Sequence, residues 1–248
     1  MTLHSTPWLV RQAGGPRRFR LYCFPHAGGS AQNYRLWQSR LSSAIEVCAI
    51  QLPGRGQRMA ETPFSDLPSL VKALAPVIAH QSHLPFAFFG HSMGALVAYE
   101  LARYCQLHAL PLPKALFVSG TAAPQHRSPS EGIHKMNDAE MTLKLATFNG
   151  TPPEILQHKE LMDLVLPMMR ADFAMVENYQ YFPAPILSMP ITVLAGREDP
   201  RTSPEQADGW AKETSNICRV QWFEGDHFFI NQETDAVIDC ITADLHEW

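Results

Sequence analysis

The stretch Phe86 to Gly94 reads Phe-Ala-Phe-Phe-Gly-His-Ser-Met-Gly and runs straight into Ala-Leu-Val-Ala-Tyr-Glu-Leu-Ala-Arg, residues 95 to 103. An apolar strand, a turn at Gly90-His91-Ser92-Met93-Gly94 and a helix follow one another without a spacer. This is G-x-S-x-G in the strand-turn-helix context that the motif requires. Ser92 has to occupy a tight, strained turn so that its hydroxyl stands out at the top of a sheet. Gly90 and Gly94 leave room for strand and helix to approach each other. The N–H of Met93 then opens the helix, where the positive end of the dipole suits a developing oxyanion. A bare G-x-S-x-G recurs by chance, and an ordinary β-α turn with a capping serine is the plainer reading. The flanking strand and helix favour a nucleophile elbow.

The rest of the chain alternates in the same way. Trp8 to Arg11 reads as a short edge strand, followed by a turn at Gly14-Gly15-Pro16. Further strands are expected at Arg20 to Pro25, Glu46 to Leu52, Ala115 to Ser119, Ile191 to Ala195 and Arg219 to Phe223. An amphipathic helix is expected around Tyr34 to Leu41. A second runs to about Gln81 from Asp66 as N-cap, with Pro68 in its first turn and Pro76 as a kink. A third spans about Pro204 to Thr214, where Ser203 and Gln206 have capping-box spacing, and a last one spans Thr234 to Leu245. Short apolar strands alternating with helices predict an α/β fold, a mostly parallel central sheet flanked by helices, formed as one domain over residues 1–248. In such sheets sites form beyond the carboxyl ends of the strands.

The alternation breaks between Pro124 and Ser188, a stretch expected to be wholly helical. Asn137 with Glu140 would cap a helix through Phe148, Thr151-Pro152-Pro153 would open another, and Lys159 to Tyr181 would form one or two more. Six of the ten methionines fall here: Met136, Met141, Met162, Met168, Met169 and Met175. Methionine adapts its shape, so residues 124–188 read as a helical lid over a pocket, inserted within the domain; the plainer reading makes these methionines packing filler.

Composition narrows the classes. The 248 residues are 46% hydrophobic, enough to bury a large core as one domain. A formal net charge of -4 with no block of like charges does not suit nucleic acid. Met1 to Arg20 holds no apolar leader, and no apolar run approaches the ~20 residues of a membrane span. Five cysteines, Cys23, Cys48, Cys105, Cys218 and Cys240, are scattered without C-x-x-C spacing, which argues against a disulfide framework and a zinc site alike. A cytoplasmic protein is expected.

A serine needs a base, and the base needs an orienting group. In the α/β-hydrolase fold they follow in the order Ser, Asp or Glu, His. The strand Ile191 to Ala195 is followed by Gly196-Arg197-Glu198-Asp199-Pro200, and the strand Arg219 to Phe223 by Glu224-Gly225-Asp226-His227-Phe228-Phe229. Asp199 and His227 therefore stand at strand ends in the required order. Glu198 and Asp226 compete for the acid. A sequence neighbour orients its own imidazole poorly, which disfavours Asp226, and Asp199 is preferred over Glu198. Some hydrolases place the acid one strand earlier, but Gly120-Thr121-Ala122-Ala123 holds no carboxylate, which strengthens Asp199. The plainer readings are a turn before Pro200 for Asp199 and a solvated loop residue for His227. His91, the variable residue of the elbow, is expected to point away from the hydroxyl. His26-Ala27-Gly28-Gly29-Ser30, after the strand that ends at Pro25, fits the second oxyanion loop, with the backbone N–H of Ala27 as donor beside that of Met93. A phosphate loop there would need G-K-[ST], which is missing.

Five pieces, Phe24-Pro25-His26-Ala27-Gly28-Gly29-Ser30, Gln51-Leu52-Pro53-Gly54-Arg55-Gly56-Gln57-Arg58, Phe89-Gly90-His91-Ser92-Met93-Gly94, Gly196-Arg197-Glu198-Asp199 and Gly225-Asp226-His227-Phe228-Phe229, together resemble the type II thioesterases of nonribosomal peptide and polyketide synthesis, within the α/β-hydrolase superfamily. The resemblance spans nearly the whole chain, and Leu-Pro-Gly-Arg-Gly is its most diagnostic piece. It implies Ser92 as nucleophile, Asp199 as acid, His227 as base, and the N–H groups of Ala27 and Met93 as oxyanion donors. It further implies a stand-alone, monomeric enzyme without a cofactor or metal of its own. Such an enzyme clears stalled or misprimed acyl groups from the phosphopantetheine arm of carrier-protein domains. Arg55, Arg58 and Arg127 are candidates for steering an acidic carrier; the plainer reading of Arg55 and Arg58 is a solvated loop. A small-ester or lipid hydrolase of the same fold, and an inactive carrier-binding module, are the alternatives.

Overall fold

A computed structural model of the chain describes residues 6–12, 16–127, 129–148, 150–183 and 186–245. The turn expected at Gly14-Gly15 lies outside them. In chain order the elements are β1 (Leu9–Val10), β2 (Phe19–Phe24), β3 (Ile45–Ile50), α1 (Leu67–Gln81), β4 (Phe86–His91), α2 (Met93–Leu107) and β5 (Leu116–Ser119). Then follow α3 (Asp138–Ala146), α4 (Pro153–Leu156), α5 (Lys159–Glu177), β6 (Ile191–Gly196), α6 (Pro204–Asp208), β7 (Cys218–Phe223), α7 (Phe229–Gln232) and α8 (Thr234–Asp244).

Alternate residues of a strand leave on opposite faces. In β2 and β4 both faces are buried, which is why these strands read as mostly apolar runs, interrupted in β2 by Arg20, which is buried against Glu46. Tyr22, Phe24, Phe86 and Phe88 enter a core shared with α1 and α2, while Phe19, Leu21, Cys23, Ala87 and Phe89 enter a second core closed by α8. The seven strands lie in the order β1-β3-β2-β4-β5-β6-β7, all parallel except the short β1, which pairs antiparallel with β3. This is the α/β-hydrolase architecture expected. The strand ends that matter are neighbours: Phe24 is in register with Gly90, His91 with Ser119, and Gly196 with Phe223.

The expected helix at Tyr34 to Leu41 is instead two single 3-10 turns, Ala31–Tyr34 and Trp37–Ser39. Ser30 and Asn33 close a capping box on the first turn, the Tyr34 hydroxyl donates to the Phe24 carbonyl at 2.7 Å, and Trp37 packs on Phe89 at 4.8 Å. These anchors hold the chain flat on the sheet. The helix expected to Thr214 is α-helical only through α6 and continues as a 3-10 turn, Gly209–Glu213, where Trp210 is buried and donates to the Thr121 carbonyl. Its Ser203–Gln206 capping box is present, as are the Asp66 cap of α1 and the Asn137–Glu140 box of α3.

Between β5 and β6 the described residues form α3, α4, α5 and two short 3-10 turns. Leu187 adds a single parallel bridge to Thr214. Lys159 onward is one helix that ends at Glu177. These helices make a small core of their own from Ile133, Met141, Leu145, Met162, Leu166, Met168 and Met169. No helix among the described residues is long and apolar enough to cross a membrane. All five cysteines are free thiols.

Candidate active site

Ser92 sits between β4 and α2 with φ 54° and ψ -116°, a left-handed conformation that costs a non-glycine residue of order 1–3 kcal/mol. Its N–H donates to the Ser119 carbonyl at 2.7 Å, which fastens the turn to the next strand. The flanking glycines are required by contact. A Cβ on Gly90 would run into the Gly94 carbonyl, and one on Gly94 would run into the carbonyl of Phe24 at the end of β2. The elbow therefore packs directly on Phe24 and Pro25, from which the loop His26 to Ser30 departs. Among the described residues, the N–H groups of Ala27 and Met93 donate to no other part of the chain, and both residues line the same cavity as Ser92.

His227 follows β7 and Asp199 follows β6. The two loops are tied together, since Arg197 N–H donates to the Phe223 carbonyl at 2.9 Å and Glu198 N–H to the Gly225 carbonyl at 3.0 Å. His227 Nδ1 lies 2.8 Å from Asp199 Oδ2, and both side chains are buried. The other Asp199 oxygen accepts the Arg201 N–H at 3.0 Å. The competing acids are placed elsewhere. Glu198 is exposed, and Asp226 Oδ1 accepts the Phe228 N–H at 2.8 Å to close its own turn. The structure thus brings Ser92, His227, Ala27 and Met93 to one cavity and sets Asp199 behind His227.

Two further histidines pack here. His91, fully buried, places Nδ1 2.9 Å from Ser119 Oγ and its ring 5.1 Å from that of His227; His26 lies 6.0 Å from His91. Burial pulls His26 down to about 4, with His227 and Arg55 adding to the effect. His91 is drawn well below the usual histidine range by burial, then by His227 and His26. Both rings are held neutral near neutral pH, packed beside His227. A depressed imidazole is protonated more readily in the unfolded chain, so the stability it confers is present above about 6.5 and is lost as pH falls below that, for His26 toward about 4. Urea unfolding at about pH 7 and about pH 5 should show a decline of up to about 1.4 kcal/mol per pH unit for each ring. His91→Asn should flatten that decline; an unchanged slope would remove His91 as its source.

Ser92, Met93 and His227 lie between two cavities. One, of about 170 Å³, is walled by apolar side chains of the segment between β5 and β6, among them Leu145, Phe148, Met162, Met168, Met169 and Phe173. The other, of about 300 Å³, is more polar and reaches Thr121, Arg127, Glu131, Glu177 and Arg201. Three of the six methionines therefore line the first cavity while also being buried.

The arginines of the Leu-Pro-Gly-Arg-Gly loop are not solvated and are not free to steer a partner. Arg58 is buried, bound to Glu61 at 2.6 Å and to the Gln51 carbonyl, and stacked 4.0 Å over Trp8. Arg55 is 4% exposed and pairs with Asp172, itself 1% exposed, through two bonds of 2.8 and 2.7 Å. Only Arg127 remains at the polar cavity, with its guanidinium 5.8 Å over Tyr179. Asp172 escaped the sequence reading. Its signal is an acid inside the apolar stripe of α5, three residues after Met169 and four before Val176.

A family model for the thioesterase domain matches residues 19–245. Among known proteins, the linear gramicidin dehydrogenase LgrE of Brevibacillus parabrevis is 40% identical over 92% of this chain and 88% of its own length. The gramicidin S biosynthesis protein GrsT of Aneurinibacillus migulanus is 37% identical over 96% and 93%. Among solved structures, the type II thioesterase BorB from the borrelidin biosynthetic cluster aligns with a TM-score of 0.89 at 36% identity, covering 98% of this chain and 99% of that one.

Proposed function

Since the chain belongs to the thioesterase domain family, and type II thioesterases are among the proteins it resembles, we propose that it hydrolyses acyl thioesters on the phosphopantetheine arm of carrier proteins in nonribosomal peptide or polyketide synthesis. The observation that carries this reading is the buried His227–Asp199 pair on the cavity where Ser92 is displayed on a strained elbow. Asp199 holds Nδ1 of His227 as the donor, which leaves Nε2 to accept the Ser92 proton. Ser92 Oγ attacks the thioester carbonyl, and the oxyanion falls to the N–H groups of Ala27 and Met93. His227 returns the proton to the leaving thiol. It then takes one from the water that attacks the acyl-serine, releasing the acid and restoring Ser92.

The two cavities suit the two halves of such a substrate. The apolar one takes the acyl chain, the polar one takes the arm, and residues 124–188 serve as the lid that walls both. No metal or cofactor is needed for this route. The loop after β2 reads His26-Ala27-Gly28-Gly29-Ser30 where a dinucleotide turn would read G-x-G-x-x-G, so hydrolysis is taken here over the hydride chemistry in the name of one relative. We place the enzyme with its synthase in the cytoplasm, as a monomer, with free thiols that a reducing compartment preserves.

The test is kinetic. Binding energy from a remote carrier can be used to position the thioester, so kcat/KM should be at least about tenfold higher for acyl-carrier protein than for the same acyl group on a short thiol. Added salt should narrow the gap by screening the contact. Equal values at low salt would favour a general ester or lipid hydrolase. Carrier binding without turnover of either substrate would favour an inactive binding module.

A further inference from the structure

The Arg55–Asp172 pair lies outside the triad, yet it touches the oxyanion loop at two points. Asp172 Oδ2 accepts the Gly28 N–H at 2.8 Å, and Arg55 donates to the Gly29 carbonyl at 3.0 Å. Arg55 reaches the pair from the loop after β3, held extended and donating also to the Pro53 carbonyl. Asp172 reaches it from α5, whose neighbouring Met169 fills the space above Gly28, so that any Cβ there would collide with the Met169 sulfur. Gly28 itself has φ +78°, which glycine alone adopts readily. Two of the three peptides that follow Ala27, those carrying the Gly28 N–H and the Gly29 carbonyl, are thus fastened to a charge pair shared by two other elements.

A buried ion pair is weak evidence for stability. The cost of stripping water from both charges often cancels their attraction, and well-packed apolar replacements are commonly neutral or stabilising. What two charges with fixed geometry do supply is orientation. We infer that Arg55 and Asp172 are positioning residues for catalysis: they set the direction of the Ala27 N–H by clamping Gly28 and Gly29, and they do so only while α5 is seated on the loop. The inference rests on the reading of Ala27 as an oxyanion donor. It adds to that reading the two side chains that make the donor effective, and it ties the donor to the helix that walls the acyl cavity. Donors at an oxyanion act through preorganisation, so a donor that wanders loses its effect even where the fold is intact.

The experiment compares wild type with Arg55→Met/Asp172→Leu, using an acyl group on a short thiol so that carrier docking plays no part. Active sites are counted by burst labelling with a serine-directed phosphonate, and unfolding is followed in parallel. The expected result is a double variant that still folds cooperatively, less stable than wild type because the Gly28 N–H and the Gly29 carbonyl lose their partners, with kcat per labelled site down about 100-fold, KM within about threefold, and affinity for a boronate analogue of the tetrahedral state reduced in step with kcat. If the double variant does not fold, Asp172→Asn, which keeps the shape and removes the charge, is expected to show the same split between kcat and KM per labelled site. Unchanged kcat per labelled site, or equal losses in kcat and in the affinity for a simple acid product, would overturn the inference. A wild-type protein that takes the phosphonate but turns over no thioester would instead overturn the proposed function.

Discussion

Ser92→Ala is expected to remove thioester hydrolysis almost entirely while leaving the fold in place. The covalent route disappears with the hydroxyl. Loss of a nucleophile from such a constellation costs on the order of 10⁶ in kcat, and what remains comes from the oxyanion donors and binding alone. Stability should barely change, because the Ser92 side chain caps nothing in α2 and alanine meets the same backbone strain at φ 54°. The fastening bond of the elbow, Ser92 N–H to the Ser119 carbonyl, is retained. Single-turnover kinetics on an acyl thioester measures the loss, and mass analysis after phosphonate treatment locates the nucleophile. Labelling should occur at Ser92 alone in wild type and nowhere in the variant. A label on another residue, or turnover within about tenfold of wild type, would end the assignment.

The parts of this site that could be read from the sequence share one property: each lies just past the end of a parallel strand of the sheet. Buried on both faces, β4 and β6 announce where they stop, and the alternating edge strand β7 stops at Glu224-Gly225; the residues just past those stops are Ser92, Asp199 and His227. The loop after β2 was legible because Pro25 stops the strand and Gly28-Gly29 follow. Where anchoring is tertiary, local pattern misleads. Tyr34 and Trp37 have helical spacing, but they are held by Phe24 and Phe89 of the sheet, and the chain between them makes single turns. Charge misleads more. Arg55 looks like a surface cation because its partner, Asp172, stands 117 residues further along. No local rule joins a loop after β3 to a helix between β5 and β6. The only trace was the acid in an apolar stripe, which gains meaning once α5 is known to lie on the loop after β2.

Asp199→Asn should lower kcat by about 10⁴ without unfolding the protein, for a reason that the hydrogen bonds specify. Asp199 Oδ1 accepts the Arg201 N–H at 3.0 Å, while Oδ2 faces His227 Nδ1 at 2.8 Å and takes the Thr202 hydroxyl at 3.4 Å. An asparagine keeps the Arg201 bond only by placing its oxygen where Oδ1 was. Its NH₂ then faces His227 Nδ1, which must become an acceptor, and the ring proton moves to Nε2. In that tautomer His227 can no longer take the proton of Ser92, although every heavy atom stays in place. Glu198→Gln makes the opposite control. Glu198 is exposed, and its fixed contribution is a backbone bond to Gly225 that substitution leaves intact, so activity should stay within about twofold. In wild type the rate should fall on the acid side, since only a neutral imidazole serves as the general base. With His26 held down to about 4 and His91 well below its usual range, one imidazole alone should shape that limb. The measurement is the pH dependence of kcat/KM for wild type and both variants. A larger loss in Glu198→Gln than in Asp199→Asn would transfer the acid to Glu198, and a rate indifferent to pH from mildly acidic to neutral conditions would take the base away from His227.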